Sequence, residues 1–306
     1  MLRNFLRNNL TFIQYFSLLL KYPYRFKNYL SKKHAVTVLL YHKITRESWP
    51  HDQSAWAVSL QSFKHQMRFL KETGYRVLSA NEYLNYLNKS ESFPRKSILI
   101  TFDDGYKNNF ELAYPVLKHF NFPAIIFLAS GYIGSNKTFP WDKNRAMADP
   151  SLEQDCLPLT WEEIRNMKDL IALGSHTVTH PHLAKEPVEK IDWELRSSKQ
   201  TIEKEINHAV QFFSYPGGTR HYGEINSVTE DALKIIGYKI AFNSEIGTNI
   251  STSNPHFQNR IAVEEDRLPL FEAKLIGAYN WMRLLQWVFQ KLFKYKSDYT
   301  SSQKIT

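Results

Sequence analysis

The chain has 306 residues, 43% of them hydrophobic, and a net charge of +9, so it is long enough for one large domain with a substantial core. Its single cysteine, Cys156, excludes an intrachain disulfide. The charge lies at the ends: residues 1–33 carry seven Lys/Arg and no acid, and residues 281–306 carry five against one Asp. A nucleic-acid binder would carry its basic patch on the folded domain, so we expect no nucleic-acid partner. Basic ends instead favour an anionic membrane surface.

Residues 1–33 are predicted to be a basic amphipathic segment. Between residues 2 and 20, apolar side chains recur at an approximately helical spacing: Leu2, Phe5, Leu6, Phe12, Ile13, Phe16 and Leu20. The most apolar part, Leu10 to Leu20, is too short to span a bilayer. The pattern is typical of an interfacial helix, and equally of a helix packed on the domain.

Residues 34–280 are predicted to form the main domain. Strand patterns occur at 34–41, 75–78, 98–100, 124–128, 170–173, 212–215 and 239–242. Helix patterns lie between them, at 59–73, after Ser79, at 110–120, after Thr160, at 188–206 and at 228–236. Residues 131–158 lack periodicity, and we interpret them as a loop insertion over the site. The alternation of strand and helix predicts a parallel α/β sheet or barrel.

Residues 281–306 are predicted to be a basic amphipathic C-terminal helix and tail. One face collects the apolar side chains Trp281, Leu284, Leu285, Val288, Phe289 and Leu292. A helix on a membrane surface and a helix in the core would both have this pattern. From the two basic ends we expect a protein peripheral to a membrane surface, on either the cytoplasmic or the envelope side.

Two adjacent carboxylates, Asp103 and Asp104, follow the buried strand through Ile98–Ile100. Gly105 permits a sharp turn after them, and α/β folds place their chemistry at the carboxyl ends of such strands. Neighbouring acids resist being ionised together unless a cation stabilises them or one holds a proton. An ordinary Asp-Gly turn is the alternative.

Two histidines, His176 and His180, follow another short strand. At positions i and i+4 they face the same way if the segment takes a helical turn, so they can share one metal ion. Two His and one Asp suffice for a catalytic metal with open positions. The other Asp is then free to act as a base, whereas the alternative is a pair of ordinary surface or core histidines.

Together these residues resemble the polysaccharide deacetylase family, carbohydrate esterase family 4, over roughly residues 35–265. Residues 101–105 match the first family motif in full, 175–180 match the second, and 214–218 match the third only in part. Residues 38–42 look like the first strand of members that act in surface-glycan pathways. The resemblance implies a distorted (β/α) barrel of about seven parallel strands, here with amphipathic helical extensions at both ends.

The resemblance also implies roles for individual residues. Asp104, His176 and His180 would hold a divalent metal, and Asp103 would be the general base. Zn²⁺ suits this ligand set, with Fe²⁺, Co²⁺ or Ni²⁺ as alternatives. The residues that we expect to bind substrate are Tyr215, Pro216, Gly217, His42 and Trp141.

Two family features are absent from their usual places. The third motif has Ser214 where the family has an arginine that orients the base; we predict that Arg260 supplies this guanidinium to Asp103, and a surface ion pair is the alternative for Arg260. The late Leu-x-His that provides the general acid has no match in residues 267–272. Four histidines are candidates by type only: His42, His182, His221 and His256.

Three functions remain open. The first is a metal-dependent hydrolase that removes N-acetyl groups from an N-acetylated glycan in cell-surface polysaccharide or envelope metabolism. The second is a deformylase or deacetylase of a lipid-linked sugar, which the basic ends favour. The third is a catalytically silent sugar-binding relative, which the two missing residues favour and the retained Asp and His residues disfavour.

Overall fold

A computed structural model describes residues 10–31, 34–49, 56–220 and 223–283 of the chain. Its strands in chain order are β1 (Thr37–Tyr41), β2 (Lys43–Thr45), β3 (Ala57–Ser59), β4 (Arg76–Val77), β5 (Ser97–Phe102), β6 (Ala124–Leu128), β7 (Ile171–Ser175), β8 (Phe212–Ser214), β9 (Ile240–Phe242) and β10 (Ile261–Ala262). Every strand pairing in the main sheet is parallel.

The main sheet follows a path of seven parallel strands in the order β10-β1-β5-β6-β7-β8-β9, and β4 pairs with the start of β5. An isolated parallel bridge between Phe242 and Gln258 links the end of β9 to the chain that leads into β10. β1 and β5 are buried along their whole length, as expected of strands covered on both faces. The predicted barrel-like parallel fold is therefore confirmed.

Helices cover the outside of the sheet. They are α1 (Leu10–Leu19), α2 (Lys21–Leu30), α3 (Leu60–Glu72), α4 (Ala80–Lys89), α5 (Tyr114–Phe120), α6 (Lys143–Ala148), α7 (Trp161–Arg165), α8 (Val188–Ile206), α9 (Ser227–Ile236) and α10 (Leu268–Leu275). Capping boxes at Ser79 and Thr160 begin α4 and α7, each completed by a Glu three residues later.

The interpretation of residues 131–158 as a loop insertion is wrong in part. The segment contains a 3₁₀ turn at Pro140–Asp142, helix α6 and a longer 3₁₀ segment at Pro150–Cys156. Each is too short to impose a helical repeat on the sequence. Leu152 and Cys156 nevertheless bury their side chains, in a small apolar cluster with Trp49 and Ala57.

The terminal segments meet on one side of the domain. Ile13 of α1 is buried in the main core, and the Trp281 indole donates a hydrogen bond of 3.0 Å to Ser17. Lys21 and Arg25 both pair with Glu272 of α10. Residues 1–9 and 284–306, with most of the predicted C-terminal helix, lie outside the described residues. Among the helices described, none combines the length and apolar character needed to cross a membrane.

Candidate active site

The two carboxylates are turned into the site by an unusual backbone at the end of β5. Asp104 has φ +73° and Gly105 has φ +84°, so two successive residues adopt the left-handed conformation. Asp tolerates this region better than most residues with a side chain, and Gly has no Cβ to oppose it. A Cβ on Gly105 would also lie 2.8 Å from Leu128 Cδ2. The sequence Asp-Asp-Gly therefore fits both the turn and its packing.

His176 and His180 do converge, but not through the helical turn that the spacing suggested. Thr177 and His180 have φ of +68° and +61°, so the segment is an irregular loop. The Nε2 atoms of both histidines lie 3.5 Å from Asp104 Oδ1. The prediction of a shared site survives, whereas the helical geometry proposed for it was wrong.

Glu194 holds this loop in place, although no sequence pattern singles it out. Its buried carboxylate accepts hydrogen bonds from the amides of Val178 and Thr179, at 2.8 and 2.9 Å, and from the Thr179 hydroxyl. The acceptor comes from the charged helix α8, in which Glu194 cannot be told apart from solvent-facing acids. Buried Glu194 thus fixes the backbone between the two histidines.

The orientation of His176 follows from one hydrogen bond. Its Nδ1 lies 2.7 Å from the carbonyl oxygen of Ser214. A carbonyl can only accept, so Nδ1 carries the proton and Nε2 presents its lone pair toward Asp104. Burial lowers the pKa of His176 and also that of His180, which keeps both imidazoles neutral. Neutral imidazole is the form that binds metals.

Asp104, His176 and His180 fit a divalent cation. Their ligand atoms all lie within 4.8 Å of one another. Asp104 Oδ1 is buried without a hydrogen-bond partner, and burial and the Asp103 charge raise the pKa of Asp104 to about 8. A bound cation would satisfy the orphaned oxygen and favour its ionised form. Two imidazoles and a carboxylate suit zinc and, less selectively, iron, cobalt or nickel.

Arg260 makes the predicted contact with Asp103. Its NH1 and NH2 atoms donate to the two carboxylate oxygens, both at 2.7 Å, while its Nε donates to the Asn243 carbonyl at 2.8 Å. Burial alone would raise the pKa of Asp103, but the Arg260 charge and its hydrogen bonds outweigh burial and hold that pKa well below its usual range. Asp103 is therefore ionised and fixed, as a proton acceptor must be.

Ser214 takes part in the same network. Its hydroxyl donates to Asp103 Oδ2 at 3.1 Å and lies 2.7 Å from Arg260 NH2. A small residue at this position leaves room for the guanidinium that enters from the chain before β10. The family arginine and Ser214 with Arg260 are thus two ways to place a cation beside the base.

Of the three candidate histidines that the structure describes, His42 is the one that lies beside Asp103. Tyr41 pairs with Phe102 in the β1–β5 ladder, so His42 and Asp103 leave neighbouring strand ends side by side. His42 Nδ1 is buried without a hydrogen-bond partner. Burial lowers the pKa of His42 to about 3, against the opposing effect of Asp103. Its imidazole is therefore neutral, with one nitrogen uncommitted.

The other histidines are differently placed. His182 is half exposed and its Nδ1 lies 3.3 Å from Glu224, next to the Gly217 loop. His256 directs Nε2 to the Tyr238 carbonyl at 2.9 Å. His221 lies outside the described residues.

Trp141 lies beside His180, at the edge of the cluster of Asp104, His176 and His180. Its ring centroid is 4.4 Å from that of His180, and the side chain is 36% exposed. The indole donates to the Tyr106 hydroxyl at 2.8 Å, and Tyr106 in turn donates to buried Asp142 at 2.6 Å. Lys43 completes the chain with a 3.0 Å bond to Asp142. A partly exposed aromatic ring held this firmly is suited to stack on a sugar.

Two of the expected substrate contacts are not available as side chains. Tyr215 is 1% exposed and its hydroxyl donates to the His256 carbonyl, so its ring belongs to the core. Pro216 is buried as well, whereas Gly217 is exposed with φ +71°. β8 ends at Ser214, and the chain after it directs Tyr215 and Pro216 into the core. The third motif meets solvent through the Gly217 backbone.

Comparisons with known proteins agree with this geometry. A family model described as polysaccharide deacetylase matches residues 90–241. YxkH of Bacillus subtilis is 26% identical over 242 residues, covering 79% of this chain and 75% of that protein. The poly-β-1,6-N-acetyl-D-glucosamine N-deacetylase of Staphylococcus aureus is 27% identical over 211 residues, covering 69% of each chain.

Among solved structures, the Streptococcus pyogenes deacetylase PplD, determined in complex with acetate, shares the fold. Its TM-score is 0.64 at 23% identity, over 78% of this chain and 96% of that one. The matched family region contains Asp103, Asp104, His176 and His180, while His42 and Arg260 lie outside it. Sequence, fold and site geometry together match the polysaccharide deacetylase family.

Proposed function

We propose that the protein is a metal-dependent hydrolase that removes N-acetyl groups from an N-acetylated glycan, in cell-surface polysaccharide or envelope metabolism. The observation that carries the proposal is the pairing of an ionised, arginine-held Asp103 with an orphaned Asp104 oxygen 3.5 Å from two histidines. The family match and the N-deacetylase activity of the Staphylococcus aureus relative support the same chemistry.

Asp104, His176 and His180 would hold the cation, which supplies a Lewis acid that polarises the amide carbonyl and acidifies water. Asp103 accepts a proton from the attacking water while the water oxygen bonds to the carbonyl carbon. Arg260 keeps Asp103 ionised and aimed throughout. Each residue then has one role, and the adjacent carboxylates do not compete for the same proton.

The leaving amine must be protonated as the C–N bond breaks. His42 is neutral beforehand, with Nδ1 uncommitted and Asp103 beside it. We assign it as the relay that takes from Asp103 the proton released by the attacking water and passes it to the amine nitrogen. The products are acetate and a free amino sugar. Positioned acid catalysis of this kind contributes ~10²–10⁴ in rate.

Arg260 and His42 also weaken the case for a catalytically silent relative. That alternative rested on the missing motif arginine and the missing late histidine. Buried Arg260 and partly buried His42 offer both functional groups from other places in the chain. The retained cluster of Asp104, His176 and His180 adds to the support for an enzyme.

A deacetylase or deformylase of a lipid-linked sugar is the second candidate. The basic ends of the chain favour it, because they suit an anionic lipid surface. We also propose that the protein is peripheral to a membrane, on a side that is not assigned. Both substrate classes present an acylated amino sugar to the same catalytic residues. An activity assay, and not the geometry of the site, therefore distinguishes them.

The test is acyl release by the zinc-loaded protein across a panel of N-acetylated oligosaccharides and of acetylated and formylated lipid-linked sugars. We expect acetate from the oligosaccharides, released ~10²–10⁴-fold more slowly by the Asp103→Asn variant. Faster release from lipid-linked sugars would select the second candidate. Metal-loaded protein that binds oligosaccharide but releases neither acetate nor formate would establish a silent sugar-binding relative.

A further inference from the structure

We propose that one face of helices α1 and α2 docks the protein on an anionic membrane. This face, the aromatic stripe, consists of Phe12, Tyr15, Phe16, Leu19, Tyr22 and Phe26. Their exposure ranges from 37% for Phe16 to 75% for Tyr22, so large apolar side chains face outward along both helices. Exposed apolar side chains scattered singly are ordinary, but a contiguous row of them marks an interaction surface.

The stripe is continuous because the two helices join with little break. Leu20 has helical φ and ψ, its amide donates to Phe16 at 3.1 Å, and Tyr24 donates to Leu20 at 3.1 Å. Spacings of three and four residues therefore keep the stripe on one side. The opposite side of α1 packs on the domain through buried Ile13 and Ser17. The stripe is thus not needed to attach the helices.

The charge around the stripe is complementary to anionic lipid. The sequence contains no Asp or Glu before Glu47. The nearby acid Glu272 is already paired with Lys21 and Arg25. Exposed Lys27 and the neighbouring Arg25, Arg95 and Lys96 line a cavity of about 610 Å³ beside α2, in which Glu272 is the acidic member.

The C-terminal sequence adds to this charge. Trp281 is hydrogen-bonded to Ser17 and its ring packs edge-on against Phe16, with centroids 4.9 Å apart. Trp281, near the end of the described residues, therefore lies beside the stripe. The sequence after residue 283 carries Lys291, Lys294, Lys296 and Lys304 against one acid, Asp298.

These features favour a lipid surface over a second copy of the chain. Tyr and Phe beside Lys and Arg are typical of a segment lying in a membrane interface. A two-fold dimer through the stripe would instead set the same basic surface against itself, and like charges repel. The occupant that matches both the apolar and the basic character is an anionic bilayer.

The experiment is cosedimentation of the full chain with vesicles of phosphatidylcholine alone and of phosphatidylcholine mixed with phosphatidylglycerol. We expect binding to the anionic vesicles that weakens as salt rises. Leu19→Ser/Tyr22→Ser/Phe26→Ser should lower the partition at least about tenfold. The matched control is Val188→Ser/Trp193→Ser/Ile235→Ser, which removes three exposed apolar side chains elsewhere and should bind as the wild type does.

A charge pair completes the design. Lys27→Glu should weaken anionic binding, while Lys185→Glu, an exposed lysine near the other end of the sheet, should not. Equal losses in the stripe and control triples would overturn the proposal. Vesicle binding by the wild type that does not depend on lipid charge or salt would also overturn it. The same holds for a dimer in sedimentation analysis that becomes monomeric in the stripe triple variant. Acetate release from soluble oligosaccharide should be unchanged in the stripe triple, so the surface is tested independently of the catalytic function.

Discussion

Arg260 donates two hydrogen bonds of 2.7 Å to Asp103, although the two residues are 157 positions apart in the chain. A bidentate pair of this kind fixes direction as well as charge. The base at the site is therefore defined jointly by the first family motif and by a residue outside the matched family region.

Removing Arg260 should shift the acidic limb of the pH–rate profile to higher pH. Arg260 keeps the pKa of Asp103 low, and burial raises it once the guanidinium is gone. At a given acidic pH more of the base is then protonated and inactive. Arg260→Met should lower the rate at least about tenfold and move that limb upward, with metal content unchanged by elemental analysis.

Arg260→Lys provides the control for that change, because it keeps the positive charge but cannot form the paired guanidinium hydrogen bonds to Asp103. Its acidic limb should lie between those of the wild type and Arg260→Met. Thermal melts of both variants identify any loss of folding. An unshifted limb in folded Arg260→Met would separate Arg260 from the base.

Asp103→Asn should retain the metal and lose turnover. The amide keeps the shape of the carboxylate but cannot accept the proton of water, so we expect a fall of ~10²–10⁴-fold in kcat. Turnover is measured as acetate release at saturating oligosaccharide, with metal content measured on the same sample. A variant that keeps near wild-type kcat would require another base.

His176→Ala should abolish stoichiometric metal binding. The substitution removes one of three protein ligands, and we expect metal content after zinc reconstitution to fall from about one ion per chain to near zero. His256→Ala is the matched control, since that ring bonds a backbone carbonyl away from the triad. Equal metal content in His176→Ala and wild type would rule out this ligand set.

Glu194→Ala should weaken the metal site without touching a ligand. The carboxylate holds the amides of Val178 and Thr179, so its loss frees the loop between the two histidines. Outer supports of this kind are worth about 10–100-fold in metal affinity. The measurement is zinc competition with a chelator, with Glu194→Gln intermediate and Glu205→Ala, on the same helix, unchanged.

Trp141→Ala should raise KM for oligosaccharides and leave kcat nearly unchanged. Loss of one stacking ring corresponds to roughly a three- to tenfold rise in KM. Trp141→Phe should recover part of the loss, and Trp193→Ala, an exposed tryptophan on α8, should have no effect. A fall in kcat with unchanged KM would show that the ring supports His180 instead of the sugar.

Local sequence patterns predicted the parts of the site that local backbone creates. Asp103, Asp104 and the strand before them are adjacent, so their shared position follows from strand polarity. The contact of Arg260 with Asp103 was predicted because Ser214 stands where the family has an arginine. A buried base without a neighbouring cation would be hard to keep ionised.

What the sequence could not supply depends on how distant elements pack. Glu194 resembles any acid of a charged helix until α8 lies against the histidine loop. The spacing of His176 and His180 suggested a helix, but left-handed residues at Thr177 and His180 bring them together instead. Tyr215 looked like a substrate contact, yet the end of β8 directs its ring into the core.

If the aromatic stripe lies on the membrane, the direction of the strands places the candidate active site at a distance from the lipid. Tyr24 and Lys27 of α2 line the same cavity as Thr37 and Ser97, the first residues of β1 and β5. His42 and Asp103 follow the last residues of those strands, a span of roughly 16 Å for five residues of β1. Docking through the stripe would therefore favour glycan chains that project from the membrane over the lipid-linked sugars of the second candidate, whose acyl groups lie at the headgroups. The expected product is a polymer that keeps its acetyl groups at the membrane-proximal end and loses them toward its outer end.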